Sequence, residues 1–159
     1  MRASRLLGLA LFAALAGVGV GVGVGVGAGA ATGPALGGTV VVEISGLRST
    51  DGQGLAGLTA RAQSFPDCTR DPAAHKLAVP SRDAAMLRFT GVPPGRYAIA
   101  LLDDANRNGK ADMALFLPRE GFGFSRDAAV RFGPPKFSAA VFDVGAGEVT
   151  IPIRMRYMF

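Results

Sequence analysis

Apolar residues recur at every second position in several short runs of this chain, and turn residues separate the runs. The last run, at 148–159, is the clearest, and its apolar face carries Val149, Ile151, Ile153, Met155 and Tyr157. A period of two is typical of a β-strand with one buried face. Pro152 lacks the N–H that a central strand needs, so we expect this strand at a sheet edge.

The same alternation predicts strands at 39–47, 57–65 and 86–92, and a further strand that follows the turn Pro93-Pro94-Gly95. That further strand is apolar on both faces, so we expect it to be central. The turn sequence RSTDGQG between the first two strands predicts a hairpin. The proline-containing segment 66–85 is interpreted as loop, and 136–144 as another strand.

No segment after residue 32 shows a helical period over three turns. Short strands joined by glycine and proline turns favour an all-β fold, an antiparallel β-sandwich of about seven strands of the immunoglobulin-like kind. We expect residues 32–159 to form this single domain, with a long loop at 103–135. Loops of that length inside a compact domain are usually functional.

The first 31 residues have the pattern of a secretory signal peptide. A basic start with Arg2 and Arg5 precedes an uncharged stretch, which ends in the small residues Ala28-Gly29-Ala30. The alternative is an uncleaved membrane anchor, since about 20 apolar residues suffice to cross a bilayer. The Gly-Val repeat weakens that alternative because both residues are poorer helix formers than alanine. We expect export to the periplasm or medium, without membrane insertion once the signal is cleaved.

The charge pattern argues against a nucleic-acid-binding protein, and the cysteine content argues against a disulfide-bonded or lipid-anchored one. The chain carries 17 basic and 12 acidic residues, a formal net charge of +5, and the basic residues are scattered singly. A nucleic-acid partner is therefore not expected. Cys68 is the single cysteine, so no intramolecular disulfide can form, and Cys68 is either a buried small residue or a stray thiol. A cysteine at the mature N-terminus, as lipid anchoring requires, is absent.

Residues 104–112 match most of a twelve-residue calcium-binding loop. Such a loop takes oxygen ligands from positions 1, 3, 5, 7 and 9, with glycine at position 6 and glutamate at position 12. The corresponding ligands are Asp104, Asn106, Asn108, the backbone carbonyl of Lys110, and Asp112, with Gly109 at position 6. Position 12 is Leu115, so Asp103, Glu120 and backbone carbonyls are the candidates for the missing ligands. With two loop carboxylates we expect a calcium Kd of roughly 10⁻⁴–10⁻³ M.

A metal-free turn explains the same residues. Asparagine and aspartate side chains bond their own backbone, and glycine takes positive φ, so any tight turn selects them. Both interpretations of residues 104–112 stay open at this point.

Three segments together resemble a known family: PPGRYAIALLDDANRNGKAD, PREGFGFS and FGPPKFSAAVF. They resemble a family of exported bacterial proteins catalogued as a domain of unknown function, number twenty-one forty-one, over about residues 39–157. Asp103 stands where that family usually has histidine, and Ala105 where it usually has glutamate. The resemblance implies export and a β domain of the transthyretin or carboxypeptidase-regulatory kind. It brings no established activity.

Three functions are compatible with these observations. The first is an exported, non-enzymatic β-sandwich module that calcium stabilises and that binds an envelope protein or a glycan. The second is an accessory envelope protein that stays anchored by the Gly-Val segment. The third is a hydrolase that uses Asp104, Asp112 or Glu120. No nucleophile motif or metalloprotease motif is present, and His75 is the single histidine, so we expect a protein that is not an enzyme.

Overall fold

The computed structural model describes residues 37–48, 50–114, 117–131 and 133–158. The predicted signal peptide at 1–31 and its Gly-Val repeat lie outside the described residues. Within them, no helix is long and apolar enough to cross a membrane.

The described part of the chain is built mainly from strands. In chain order they are β1 (Gly38–Ser45), β2 (Gln53–Thr59), β3 (His75–Pro80), β4 (Met86–Val92), β5 (Gly95–Asp104), β6 (Met113–Ala114), β7 (Leu117–Pro118), β8 (Gly121–Phe124), β9 (Phe142–Val144) and β10 (Glu148–Arg154). Single turns of 3-10 helix lie at Ala62–Ser64, Ser81–Asp83 and Ser125–Asp127, and a one-turn helix, α1, at Phe137–Ala140.

These strands form two main sheets. One has the order β10-β1-β4, and the other has the order β3-β2-β5-β8 with β9 paired to the start of β5. Strands β6 and β7 form a separate two-stranded ribbon. The all-β sandwich is therefore confirmed, with eight strands in the main sheets where the sequence predicts about seven.

Apolar faces from both sheets form the main core. Its members include Val40, Val42, Leu58, Leu87, Phe89, Tyr97, Ile99, Leu101, Ile151, Ile153 and Met155. A second apolar cluster covers the other face of β5, with Ala98, Phe122, Phe124, Ala128 and Ala140. The prediction of a central strand covered on both sides is confirmed for β5, and the prediction of an edge position is confirmed for β10.

The predicted hairpin between the first two strands is wrong. Strands β1 and β2 lie in different sheets, and β2 pairs with β3 and β5. The connecting turn carries the chain from one sheet to the other because the buried faces of both strands belong to the same core. Two strands whose apolar faces meet across a core do not also pair edge to edge.

Segment boundaries also differ between residues 53 and 85. Strand β2 begins earlier than predicted and ends at Thr59, whose hydroxyl accepts the Arg61 N–H at 3.0 Å and donates to Asp71 at 2.8 Å. The backbone at Arg61 therefore bonds a side chain instead of continuing the ladder. The predicted loop 66–85 contains strand β3, whose apolar signal is weak because only Leu77 and Val79 pack on the core.

Two predictions about the second half of the chain need correction. Residues 136–144 are not one strand, because Phe137–Ala140 form the helical turn α1, which sets Phe137 edge-on against Phe65, with 6.1 Å between ring centroids. The predicted long loop at 103–135 contains β8, which pairs with β5. Strand β10 runs parallel to β1, so one pair of the sandwich departs from the antiparallel pattern.

Candidate functional site

Asp104 is the last residue of β5 and is fully buried. Its Oδ1 accepts the Asn108 N–H at 3.1 Å, and its Oδ2 accepts the Gly109 N–H at 2.8 Å. The Gln53 amide of the neighbouring strand donates to Oδ2 at 2.8 Å. Gly109, with φ of 77°, lies in the left-handed region that favours glycine. Asp104 therefore folds the following loop back onto the end of the strand.

The exposed half of the loop is a hydrogen-bonded network around Asp112. The Asn106 and Asn108 amides donate to Asp112 Oδ2 and Oδ1 at 2.6 and 2.9 Å. The Asn106 Oδ1 accepts the Asn108 N–H at 3.1 Å, and the Asn108 Oδ1 accepts the Lys110 N–H at 2.9 Å. We call residues 104–112 the acidic loop. Four of the five predicted ligand residues, Lys110 excepted, thus contribute side chains to one network.

Glu120 fastens the acidic loop at both ends. It lies 7% exposed just before β8, outside the loop itself. Its Oε1 accepts the Ala105 N–H at 3.2 Å and its Oε2 accepts the Asp112 N–H at 3.0 Å. The Arg119 N–H donates to the Asp112 carbonyl at 2.8 Å. The structure therefore brings Glu120, predicted as an extra ligand, to the loop.

Asp103, the other predicted extra ligand, faces the opposite way. Side chains alternate along a strand, and Asp103 lies on the inter-sheet side of β5, only 4% exposed. Its Oδ1 accepts the Ser81 hydroxyl at 3.0 Å, and its Oδ2 accepts the Tyr157 hydroxyl at 2.6 Å. The Tyr157 hydroxyl in turn accepts the Arg48 N–H at 3.0 Å. Asp103 thus ties three distant segments together and is separate from the acidic-loop network.

Burial raises the pKa of Asp104, but hydrogen bonds outweigh that effect. Donors on Gln53, Gly109, Asn108 and Arg107 stabilise the charged form, so the pKa of Asp104 lies below its ordinary value. The Asp104 carboxylate is therefore ionised at neutral pH. In this form it accepts the hydrogen bonds that hold the loop.

The pKa of Glu120 shifts in the opposite direction. Burial raises it most, and the charges of Asp104 and Asp112 raise it further, while the N–H groups of Asp112 and Ala105 lower it. None of the ion pairs within the described ranges includes Asp104, Asp112 or Glu120. The loop therefore gathers negatively charged carboxylates that backbone N–H groups and side-chain amides stabilise, and no basic side chain of the described residues is paired with them.

We expect Glu120 to titrate above the roughly 4.3 of an exposed glutamate in a ¹³C NMR pH titration of its carboxyl carbon. Because its pKa in the folded state is raised, its contribution to stability is present below about pH 4.3 and is lost as pH rises through the folded value. Removing one neighbouring charge with Asp112→Asn is expected to lower the pKa of Glu120. An unchanged Glu120 pKa in that variant would contradict the electrostatic coupling.

The fit to a metal ion rests on oxygens other than carboxylates. Across the described ranges, no group of three or more His, Cys, Asp or Glu side chains is arranged to hold a metal ion. A cation in the acidic loop would therefore need the amide oxygens of Asn106 and Asn108 and backbone carbonyls besides Asp112. These are oxygen donors of the kind that Ca²⁺ accepts. Leu115, at the position of the missing twelfth ligand, lies outside the described residues.

Three residues of this region were missed by sequence reasoning. Gln53, Ser81 and Tyr157 each reach a β5 carboxylate from a distant part of the chain. The alternation of the last strand places Tyr157 on the inner face, which is the one available signal. No local pattern indicates which acid its hydroxyl would meet.

The fold and this region define a two-sheet β-sandwich domain with an acidic loop fastened to the end of its central strand. The chain belongs to a family described as uncharacterised proteins conserved in bacteria (DUF2141), whose family model matches residues 42–152. The family resemblance of the three sequence segments is thereby confirmed. No curated protein and no solved structure matches the chain.

Proposed function

We propose that the protein is an exported, non-enzymatic β-sandwich module that binds an envelope protein or a glycan and that calcium stabilises at the acidic loop. The observation that carries the calcium proposal is the gathering of Asp104, Asp112 and Glu120 around one loop without an ion-paired basic side chain in the described residues. Burial is the main cause of the raised pKa of Glu120, and the charges of Asp104 and Asp112 raise it further. A divalent cation would offset that second, electrostatic contribution.

The amides of the loop support this proposal. Asn106 and Asn108 now direct their amide nitrogens at the two oxygens of Asp112. A half-turn of each amide would exchange its nitrogen for its oxygen, and the amide oxygen would give up the backbone N–H that it now accepts. The acidic loop could then offer amide and carboxylate oxygens to a hard cation, with Kd in the weak range of roughly 10⁻⁴–10⁻³ M.

The chemistry of the remaining reactive groups supports a non-enzymatic role. Burial, and then the charges of Asp67 and Asp71, raise the pKa of the Cys68 thiol to about 11, which disfavours the reactive thiolate. His75 lies on β3 opposite Leu58, and no hydrogen bond among the described residues joins it to an acid or a nucleophile. A hydrolase built on Asp104 or Glu120 would need a carboxyl group that is free to react with substrate. Both carboxyl groups instead accept hydrogen bonds from the backbone of the loop.

Export is supported by the N-terminal sequence pattern of a basic start, an uncharged stretch and a small-residue end. The accessory-protein alternative differs in one respect, since its Gly-Val segment would remain as an anchor. N-terminal sequencing of the protein from cells decides between them. A start near Thr32 supports export with cleavage, whereas a start at Met1 supports the anchor.

A metal-free loop is the second candidate for residues 104–112. It is favoured by one specific observation: the Asp104 carboxylate already accepts hydrogen bonds from Asn108, Gly109 and Gln53. In that case the network around Asp112 is a rigid turn that needs no ion.

Thermal unfolding in EDTA and then in 10 mM CaCl₂ tests the calcium proposal. With Kd of about 10⁻⁴–10⁻³ M, 10 mM ion should stabilise the folded state by about 1.4–2.7 kcal/mol. For a domain of this size the expected rise in Tm is about 4–12 °C. Magnesium should give a smaller rise, because it prefers a stricter octahedral geometry.

The matched variants are Asp112→Asn in the loop and Asp143→Asn on the surface, where the side chain is 89% exposed. The calcium response should disappear in Asp112→Asn and persist in Asp143→Asn. No change in Tm at 10 mM calcium would reject the ion and leave the metal-free turn.

A further inference from the structure

Both asparagines of the chain lie in the acidic loop, and one of them precedes a glycine. Asn106 is followed by Arg107, and Asn108 is followed by Gly109. In an Asn-Gly pair the backbone nitrogen of the glycine can attack the side-chain amide of the asparagine, because glycine has no Cβ to hinder the approach. Asparagine is a thermolabile residue for such reasons. Of the two asparagines, Asn108 is therefore the one that the local sequence favours for loss of its side-chain amide, a reaction called deamidation.

The fold places the two reacting groups of this pair beside each other. The Asn108 Oδ1 accepts the Lys110 N–H at 2.9 Å, a turn that folds the side-chain amide back over the intervening Gly109 peptide. The pair is also open to solvent. Asn108 is exposed, and no heavy atom of the described residues lies within 4 Å of a Cβ built at Gly109. Water can therefore reach both groups.

Two carboxylates restrain the same two groups. The Asp104 Oδ2 accepts the Gly109 N–H at 2.8 Å, so the attacking nitrogen keeps its proton and directs it at a buried anion. The Asp112 Oδ1 accepts the Asn108 side-chain N–H at 2.9 Å, which fixes the orientation of the amide. The glycine nitrogen must lose its proton to attack, and a neighbouring negative charge disfavours that loss. The closed loop therefore opposes the reaction that its sequence favours.

We propose that Asn108 is a deamidation site, and that Asp104 and Asp112 hold the reaction back until the acidic loop opens. In the open loop the Gly109 nitrogen gives its proton to solvent and forms a bond to Cγ of Asn108. The bond between Cγ and Nδ2 breaks, and Nδ2 takes up a proton and leaves as ammonia. Water then opens the resulting cyclic imide to aspartate or isoaspartate. Water is the only other reactant, and nothing is oxidised or reduced.

The product changes the loop in which it forms. A carboxylate at position 108 would replace the amide nitrogen that donates to Asp112, and two anions at that separation repel each other. Deamidation is therefore expected to keep the loop open, and the change is one-way because the ammonia is lost. Asn108→Asp reproduces the aspartate product and should raise the hydrogen-exchange rate of the Gly109 amide about tenfold. An unchanged exchange rate would contradict this consequence.

Ageing of the purified protein in EDTA at mildly alkaline pH tests the site. Peptide mapping by mass spectrometry separates asparagine, aspartate and isoaspartate at residues 106 and 108. We expect conversion at residue 108 in urea-unfolded protein, conversion at least about tenfold slower in the folded protein, and slower conversion at residue 106 than at 108 in the unfolded chain. No conversion at 108 in urea, or equal rates at 108 in folded and unfolded protein, would overturn the proposal. Because EDTA removes divalent ions, the result does not depend on the calcium proposal.

Two variants test the restraint in the folded protein. Asp112→Ala removes exposed contacts only, frees the Asn108 amide and should speed its conversion about threefold or more, whereas Asp104→Ala frees the Gly109 nitrogen and should speed it about tenfold or more. Circular dichroism of Asp104→Ala confirms that the fold is retained, and Asp112→Ala decides if it is not. Asp143→Ala is the matched control, since this carboxylate is 89% exposed and lies outside the loop, and it should age as the unmodified protein does. Equal rates in all of these proteins would reject the restraint by the two carboxylates.

Discussion

Gly121→Ala is expected to destabilise the domain by about 2–4 kcal/mol, which combines overpacking with loss of a part-buried hydrogen bond. A Cβ at residue 121 would lie 2.4 Å from Cε1 of Tyr157. The ring would have to shift, and its hydroxyl would leave Asp103, to which it donates at 2.6 Å. Asp103 would then keep a buried carboxyl group with one fewer hydrogen-bond donor, which is costly in a weakly solvated site.

Chemical denaturation measures this effect, and Gly145→Ala is the matched control. No heavy atom lies within 4 Å of a Cβ built at residue 145, so its change should stay within about 0.5 kcal/mol. Tyr157→Phe removes the same hydroxyl directly. If the alanine acts by displacing the ring, the double variant Gly121→Ala/Tyr157→Phe should be less destabilised than the sum of the single variants. Strict additivity would refute this mechanism.

Asp104→Ala is expected to lower the free energy of unfolding by about 2–3 kcal/mol, because three hydrogen-bond donors lose a buried, ionised acceptor. The Asn108 and Gly109 amides and the Gln53 side chain would lose their partner. Because the pKa of Asp104 is lowered in the folded state, its contribution is present above about pH 3.9 and is lost as pH falls through the folded value. The variant should therefore show a smaller loss of stability on acidification.

Denaturant unfolding at pH 7 and at pH 3 measures both parts of this prediction. Asp112→Ala is the comparison within the same loop, and its exposed contacts should cost less than about 1 kcal/mol. Equal losses of unfolding free energy in Asp104→Ala and Asp112→Ala would mean that burial of Asp104 does not govern the stability of the loop. An unchanged pH dependence in Asp104→Ala would contradict the lowered pKa.

The glycines of β8 show what local sequence does not reveal. Gly121 and Gly123 alternate with Phe122 and Phe124. In the structure, the two phenylalanines pack on the second cluster, while a Cβ at Gly123 would lie 2.7 Å from Ile153 Cγ2. The glycines are needed because the end of the chain crosses β8 closely, and no pattern near residue 121 encodes that approach.

The sequence by itself determined the period-two strands, the apolar faces that form the core, the central position of β5 and the edge position of β10. It also determined the turn at residues 104–112, since its bonds join residues two to six positions apart, which meet in any chain that folds this locally. The tertiary structure alone decided which strands pair, that β1 and β10 run parallel, and that Glu120 fastens the loop while Asp103 accepts the hydroxyls of Ser81 and Tyr157. These contacts join residues from 8 to 109 positions apart, and they form only after the sandwich core has brought the strand ends together.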